Sequence, residues 1–197
     1  MPTILKHFEE FRDTLERGWV VAYPTETTYG LGVNPFNKDA VSLLDKVKNR
    51  SKGKPYLMLV KDMEMLETYA EMSTRVRELM SVLWPGPVSV VLKAKPKLPE
   101  WMIEKNGNAC FRVSSSKFAE KVFEYIDRPI VSTSANPEGF PIAKDISEVV
   151  SYFQSQEQLS VFPDIYEDVK GRLPSTIVDL TLDKPKVLRK GAFNIVF

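Results

Sequence analysis

This chain of 197 residues has one cysteine and one histidine. A single thiol, Cys110, cannot close an internal disulfide, and the two residues are too few for a Cys/His zinc site, so no protein-built metal site is expected. Such thiol poverty fits a reducing, cytoplasmic setting. The apolar neighbours of Cys110, Phe111 above all, make core packing its expected role. His7 falls in a charged stretch at helical spacing, so a Ser-His-Asp triad has no other imidazole to draw on. Long apolar runs are missing too: nothing approaches the ~18 consecutive apolar residues that span a bilayer, and no membrane partner is expected. Neither G-x-x-x-x-G-K-[ST] nor G-x-G-x-x-G occurs, which excludes a P-loop and a Rossmann fingerprint as the means of holding a nucleotide. Net charge is almost absent. Lys plus Arg number 27 against 26 Asp plus Glu, a balance of +1 that exerts no general pull on nucleic acid and leaves only a local basic patch open.

What is present supports a folded core. The chain is 43% hydrophobic and 27% charged, and it is long enough for one domain, residues 1–197, with a substantial interior. Ile4, Phe8, Phe11 and Leu15 recur at helical spacing among charged residues, which predicts an amphipathic opening helix carrying His7, not the apolar segment of a signal peptide.

The most informative stretch runs from Trp19 to Arg50. An apolar strand, Trp19 to Tyr23, breaks at Pro24 and gives way to Thr25, Glu26, Thr27, Thr28 and Tyr29. Four hydroxyls in five residues would each need a partner if buried, so this run is expected to wall a polar pocket. Gly30 and Gly32 are expected to permit a tight turn or a close approach to a ligand. A helix follows over Lys38 to Lys48, with Ala40, Leu43, Leu44 and Val47 on one face and Asn37 or Asp39 as cap. It ends in alternating cations: Lys46, Lys48, Arg50, Lys52 and Lys54. Two readings stand for these cations, a solvated complement to the helix dipole or a grip for an anion.

Further along, strands are expected at Tyr56 to Val60, Val88 to Leu92, Asn108 to Val113, Pro129 to Val131, near Val161, Thr176 to Leu180 and Lys186 to Leu188. Helices are expected over Met63 to Glu71, Thr74 to Leu83 behind a Ser73 cap, Lys117 to Ile126 and Ser147 to Phe153. Trp84-Pro85-Gly86-Pro87 must break a helix and reads as a rigid turn. Arg112 interrupts an apolar run, and spacing alone leaves it either facing solvent or pointing into a pocket. Ser132 to Gly139 is either an ordinary turn or a strand end that delivers Ser134 and Asn136 to a pocket mouth. Alternating elements with a strand-rich final third predict an α/β fold on a mixed sheet.

The segment Y-P-T-E-T-T-Y-G-L-G followed by K-N-R resembles the signature of the YrdC/Sua5 family, the threonylcarbamoyl-adenylate synthases of tRNA modification. Further matches follow in family order: W-P-G-P at Trp84 to Pro87, F-R-V at Phe111 to Val113, S-T-S-A-N at Ser132 to Asn136, P-S-T-I-V-D at Pro174 to Asp179 and L-R-K-G at Leu188 to Gly191. The resemblance covers nearly the whole chain. It implies a twisted mixed β-sheet curved around a deep basic cavity with helices outside. It also implies a reaction in which L-threonine, bicarbonate or carbon dioxide and ATP, carried with Mg2+, give threonylcarbamoyl-AMP and pyrophosphate. A tRNA-modifying transferase would accept that product.

On this resemblance Lys48, Arg50 and Arg189 are expected at the phosphates, with Lys48 and Arg50 catalytic by charge. Ser134 and Asn136 would fix the nucleotide, while Thr25, Arg112 and Ser175 would hold threonine, Arg112 at its carboxylate. Glu26 has two open roles, orienting Arg50 or a hydroxyl, or a structural salt bridge. The chain departs from the family pattern at Ser51, at Leu59, at Ser114-Ser115-Ser116 and in a glycine-rich run reduced to Gly171. Most of these lie on the amino-acid side, so they bear on acceptor identity more than on nucleotide binding. Ending at Phe197, the chain is expected to lack the added C-terminal domain of the longer Sua5 branch. Two other functions compete: a double-stranded RNA or tRNA-binding module of the same fold, and a carbamoyl-adenylate enzyme with another acceptor. Steep salt dependence of RNA binding would mark the first, and trials with other amino acids the second.

Overall fold

The computed structural model describes residues 1–51, 53, 55–163, 165 and 172–196. Ten strands form one mixed sheet in the order β1-β8-β2-β3-β7-β4-β6-β5-β9-β10. They are β1 (Thr3–Ile4), β2 (Val20–Tyr23), β3 (Gly30–Val33), β4 (Leu57–Leu59), β5 (Val88–Lys93), β6 (Asn108–Arg112), β7 (Ile130–Ser134), β8 (Leu159–Val161), β9 (Thr176–Asp179) and β10 (Lys186–Arg189). Among the described residues six α-helices accompany them: α1 (Phe8–Glu16), α2 (Lys38–Lys48), α3 (Met63–Tyr69), α4 (Thr74–Leu83), α5 (Lys117–Val122) and α6 (Ile146–Tyr152). Four neighbouring pairs are parallel (β1/β8, β2/β8, β4/β6, β5/β9) and five are antiparallel, so the sheet is mixed as the late strand-rich sequence predicts. Lys52, Lys54, Gly171 and Phe197, all named above, lie outside the described residues.

Strands β2, β6 and β8 are buried along their whole length, and β2 reads accordingly as a continuous apolar run and not as alternation. An aromatic cluster holds α1 and α5 against this sheet. Tyr23 stacks on Phe118 at 5.4 Å, Phe11 meets Tyr23 edge-on at 5.5 Å, and Phe162 closes the group 4.9 Å from Phe118.

Three expectations need correction. The opening helix begins at Phe8; Ile4 lies in edge strand β1, and His7 is the N-cap rather than a helical residue. Gly30 and Gly32 lie in strand β3, not in a turn; of the alternatives expected for them, Gly30 keeps a place on the cavity wall described below. The Tyr23 ring lies over this strand, so a Cβ at Gly32 would fall 2.7 Å from the ring and 2.9 Å from the Val131 carbonyl oxygen. Their small size answers cross-strand packing. Tyr29, expected on the polar wall, is wholly buried in the core.

Local chemistry sets the element ends that matter for the site. Asn37 caps α2 by accepting from the Asp39 and Ala40 amides, and the helix stops at Asn49, whose φ of 51° is left-handed. Ser73 caps α4, which ends before Pro85. Trp84 Nε1 donates to the Val88 carbonyl at 2.6 Å and fixes the W-P-G-P turn to β5. Strand register then gathers the functional segments: Gly30 pairs with Ser134, Leu59 with Arg112, and Val88 with Thr176.

Candidate active site

These strand ends enclose a cavity of about 350 Å³. Thr25, Arg50, Arg112, Ser134, Ser175 and Arg189, six of the eight expected site residues, line it together. They come from six separate segments, and only the sheet brings them to one place. Among the described residues the lining holds three arginines and one carboxylate, Glu104.

Each arginine is fixed by its surroundings. Arg50 lays its guanidinium 4.3 Å from the Tyr56 ring centre and donates from Nη2 to the Pro55 carbonyl at 2.8 Å, while its buried Nε has no partner among the described residues. Tyr56 is in turn anchored through its hydroxyl to Asp45 at 2.6 Å. Arg189 grips Ser175: Nε and Nη2 donate to its carbonyl at 3.1 and 2.7 Å, and Nη2 also reaches its Oγ at 3.1 Å. Burial, with the neighbouring Arg112 charge, draws the Arg189 guanidinium below its ordinary range.

Arg112 points inward and is buried, which resolves the alternative left by its spacing. Its Nη2 pairs with Glu26 Oε2 at 2.6 Å and its Nη1 contacts Thr27 Oγ1 at 3.3 Å. The Glu26 carboxylate also accepts from the Ser114 hydroxyl and from the Ser115 amide at 3.2 Å. Glu26 therefore makes a salt bridge to Arg112 and orients a hydroxyl, but it does not hold Arg50. Arg112 Nε stays buried without a partner among the described residues.

Two expected site residues take other positions. Lys48 is buried and absent from the cavity lining; its Nζ donates to the carbonyls of Ser134 and Asn136, at 2.5 and 2.7 Å. Burial, then the Arg50 charge, draws its ammonium down to about 8 against the opposing effect of Glu138. The Asn136 amide folds back onto the Phe140 carbonyl at 2.7 Å. Both thus shape the loop behind Ser134. Thr25 does line the cavity, but its Oγ1 also accepts from the Thr27 and Thr28 amides at 3.2 Å and closes the turn.

Some lining residues escaped the sequence. Ser89 shares a 2.8 Å hydroxyl contact with Ser175, a pairing between residues 86 positions apart that no local pattern announces. Cys110 is buried as expected but faces the cavity from β6, and burial pushes its thiol up to about 12, leaving it protonated and inert near neutrality. Among the described residues no three His, Cys, Asp or Glu side chains converge on a metal position, and no helix is long and apolar enough to cross a membrane.

The Sua5/YciO/YrdC family model, described as "Telomere recombination", matches residues 13–191, which include every cavity-lining residue named above. The chain belongs to the Sua5/YciO/YrdC family. A threonylcarbamoyl-AMP synthase of Enterobacter sp. (strain 638) is 32% identical over 171 residues, 85% of this chain and 87% of that protein. P. abyssi Sua5 complexed with L-threonine superimposes with a TM-score of 0.85 at 27% identity, over 97% of this chain. The match spans 57% of that Sua5 chain. E. coli YciO gives a TM-score of 0.87 at 23% identity, with 98% of both chains covered, a likeness of fold. Within the family frame, the expected mixed α/β sheet is present. The cavity it forms is lined by hydroxyls and three arginines, one of them neutralised by Glu26.

Proposed function

We propose that this chain is a threonylcarbamoyl-AMP synthase acting as a single YrdC-like domain. It would convert L-threonine, bicarbonate or carbon dioxide and ATP to threonylcarbamoyl-AMP and pyrophosphate, for the threonylcarbamoyladenosine modification of tRNA. The observation that carries this reading is the convergence of Arg50, Arg112 and Arg189 with the hydroxyls of Thr25, Ser134 and Ser175 on one cavity. The 32% identity to the Enterobacter threonylcarbamoyl-AMP synthase supports the choice of reaction.

The chemistry sets the demands. The threonine amine adds to carbon dioxide and loses a proton, giving a carbamate. A carbamate oxygen then attacks the α-phosphorus, and the bond to the β,γ-diphosphate breaks to release pyrophosphate. An anion attacks an anion, so the protein must offset charge and hold the reactants in line. Arg50 and Arg189 supply donors at the phosphates, and the Arg50 guanidinium is oriented by the Tyr56 stack and the Pro55 carbonyl. Ser134 contacts the nucleotide. Lys48 and Asn136 serve the same half of the cavity by holding the Ser134 loop. On the other side Arg112 meets the threonine carboxylate, with Thr25 and Ser175 beside it. Mg2+ would come with ATP as part of the substrate and offset phosphate charge, and Glu104, the one carboxylate of the lining among the described residues, could help hold it. The labile adenylate passes to a tRNA-modifying transferase.

The test is pyrophosphate release from purified protein with ATP and bicarbonate, with and without L-threonine. Threonine-dependent release is expected. Release that ignores threonine but responds to another amino acid would assign a different acceptor, and RNA binding without any ATP turnover would overturn the enzyme reading.

A further inference from the structure

Two segments that bear cavity donors are joined by a clasp outside the cavity. The first runs from Lys48 to Ser51 and carries Arg50; the second runs from Ser134 to Glu138 and carries Ser134. Lys48 bonds the second segment at both ends. Its Nζ donates to the Ser134 and Asn136 carbonyls, and its own carbonyl accepts from the Glu138 amide at 2.7 Å. Glu138 returns the link. Its Oε2 accepts from the Ser51 amide at 2.5 Å and its Oε1 from the Ser51 hydroxyl at 2.9 Å.

We propose that Glu138 and Ser51 are positioning residues for ATP, a paired clasp that sets the distance between Arg50 and Ser134 on the nucleotide side of the cavity. The physical case has three parts. Ser51 directly follows Arg50, so holding both its amide and its hydroxyl fixes the backbone from which the Arg50 side chain departs. A carboxylate engaging two donors at once restrains orientation as well as distance, and charge-assisted bonds of this kind are stronger than neutral ones. Glu138 also occupies the two Ser51 donors that an incoming phosphate would otherwise attract, which leaves the Arg50 guanidinium as the anion contact of this segment. Neither Ser51 nor Glu138 lines the cavity. Their effect on ATP must therefore pass through Arg50 and Ser134.

This inference rests on the proposed reaction for its kinetic readout, and ATP affinity measured by calorimetry tests it independently of that reaction. The variants are Glu138→Gln, Ser51→Ala and Ser51→Pro, the last removing hydroxyl and amide donor together, with the double variant Glu138→Gln/Ser51→Pro. Circular dichroism melts establish that each is folded. Expected are a rise of about 5- to 20-fold in KM and Kd for ATP in Glu138→Gln and Ser51→Pro, a smaller rise in Ser51→Ala, and a KM for threonine unchanged within about twofold. The double variant should be no worse than the poorer single variant, because both remove one link. Independent, multiplying effects would overturn the pairing. An unchanged ATP affinity, or equal losses toward ATP and threonine, would overturn the positioning role. If wild type shows no threonine-dependent turnover, the proposed reaction fails while the calorimetric comparison still decides the clasp; if wild type binds no ATP, both fall.

Discussion

Arg112 and Glu26 form a buried ion pair, Nη2 to Oε2 at 2.6 Å, with side chains only 4% and 11% exposed. The pair is embedded: Glu26 also takes the Ser114 hydroxyl and the Ser115 amide, and Arg112 touches Thr27. Removing one partner strands a charge out of water, which typically costs about 3–5 kcal/mol. Glu26→Ala is therefore expected to lower the unfolding free energy by roughly 3 kcal/mol, and Glu26→Gln by less, because the amide keeps hydrogen bonds. Urea denaturation measures both.

The same pair makes a kinetic prediction. Because Glu26 is held by three donors, it should stay in place when an amino-acid carboxylate arrives and keep the Arg112 guanidinium fixed at the cavity wall. Glu26→Gln should then raise the KM for threonine several-fold and leave that for ATP unchanged. A lower KM for threonine would mean instead that Glu26 competes with the substrate for Arg112.

How far the sequence reveals this site depends on distance along the chain. Helix α2 was legible because its cap, periodicity and stop lie within thirteen residues, from Asn37 to Asn49. The Arg112 strand was legible as an apolar run broken by one polar residue, whereas of the Ser134 strand only the apolar start, Ile130 and Val131, was legible, and Ser132 to Ser134 left a turn equally open. The partners of these residues were not. Glu26 meets Arg112 across 86 positions and Ser51 meets Glu138 across 87, so strand order, which no local pattern encodes, decides both pairings. Lys48 shows the converse: an alternating cation run suggested an anion grip, but the end of α2 directs this lysine onto the Ser134 loop. β3 was missed for a related reason, since its glycines answer to the Tyr23 ring on the neighbouring strand and not to their own backbone.

Lys48 should make stability depend on pH in a definite direction. Its ammonium titrates near 8 in the folded chain and near the ordinary 10.5 when unfolded. Between those values the unfolded state binds the extra proton, so the contribution of this group to stability rises with pH. Cys110 works the other way: its thiol is raised from 9.0 to about 12, and its contribution falls as pH climbs past 9. Comparing wild type with Lys48→Met cancels the cysteine. Wild type should gain about 1 kcal/mol relative to the variant between pH 8 and 9. A flat difference across that window, by denaturation at each pH, would place the lysine ammonium outside this environment.

Arg189 should not tolerate lysine. Its Nε and Nη2 hold one carbonyl together, and Nη2 adds the Ser175 hydroxyl, a planar fork that a single ammonium cannot reproduce. Arg189→Lys keeps the charge and is expected to fold, yet to lose on the order of 10²-fold in kcat/KM for threonine-dependent pyrophosphate release. Charge alone as the requirement would show as near-normal turnover.

Gly191 tests the coupling between backbone packing and this arginine. A Cβ there would fall 2.2 Å from the Pro174 carbonyl oxygen and 2.6 Å from the Ser175 carbonyl, both rigid backbone atoms. The approach is close because the chain after β10 is bonded to the start of β9: the Gly191 amide donates to Thr176 Oγ1 at 3.1 Å and the Ala192 amide to the Pro174 carbonyl at 2.8 Å. Gly191→Ala must push these segments apart, and Arg189, two residues earlier, must move relative to Ser175. Ser175 and Arg189 both face the cavity, so the damage should appear in catalysis as well as in stability. We expect Gly191→Ala to lower kcat/KM about as much as Arg189→Lys does and to cost roughly 1–3 kcal/mol by denaturation. Combined with Arg189→Lys it should add little further loss of activity, since both act through the same contact. Full additivity would show instead that the two changes reach the cavity by separate routes.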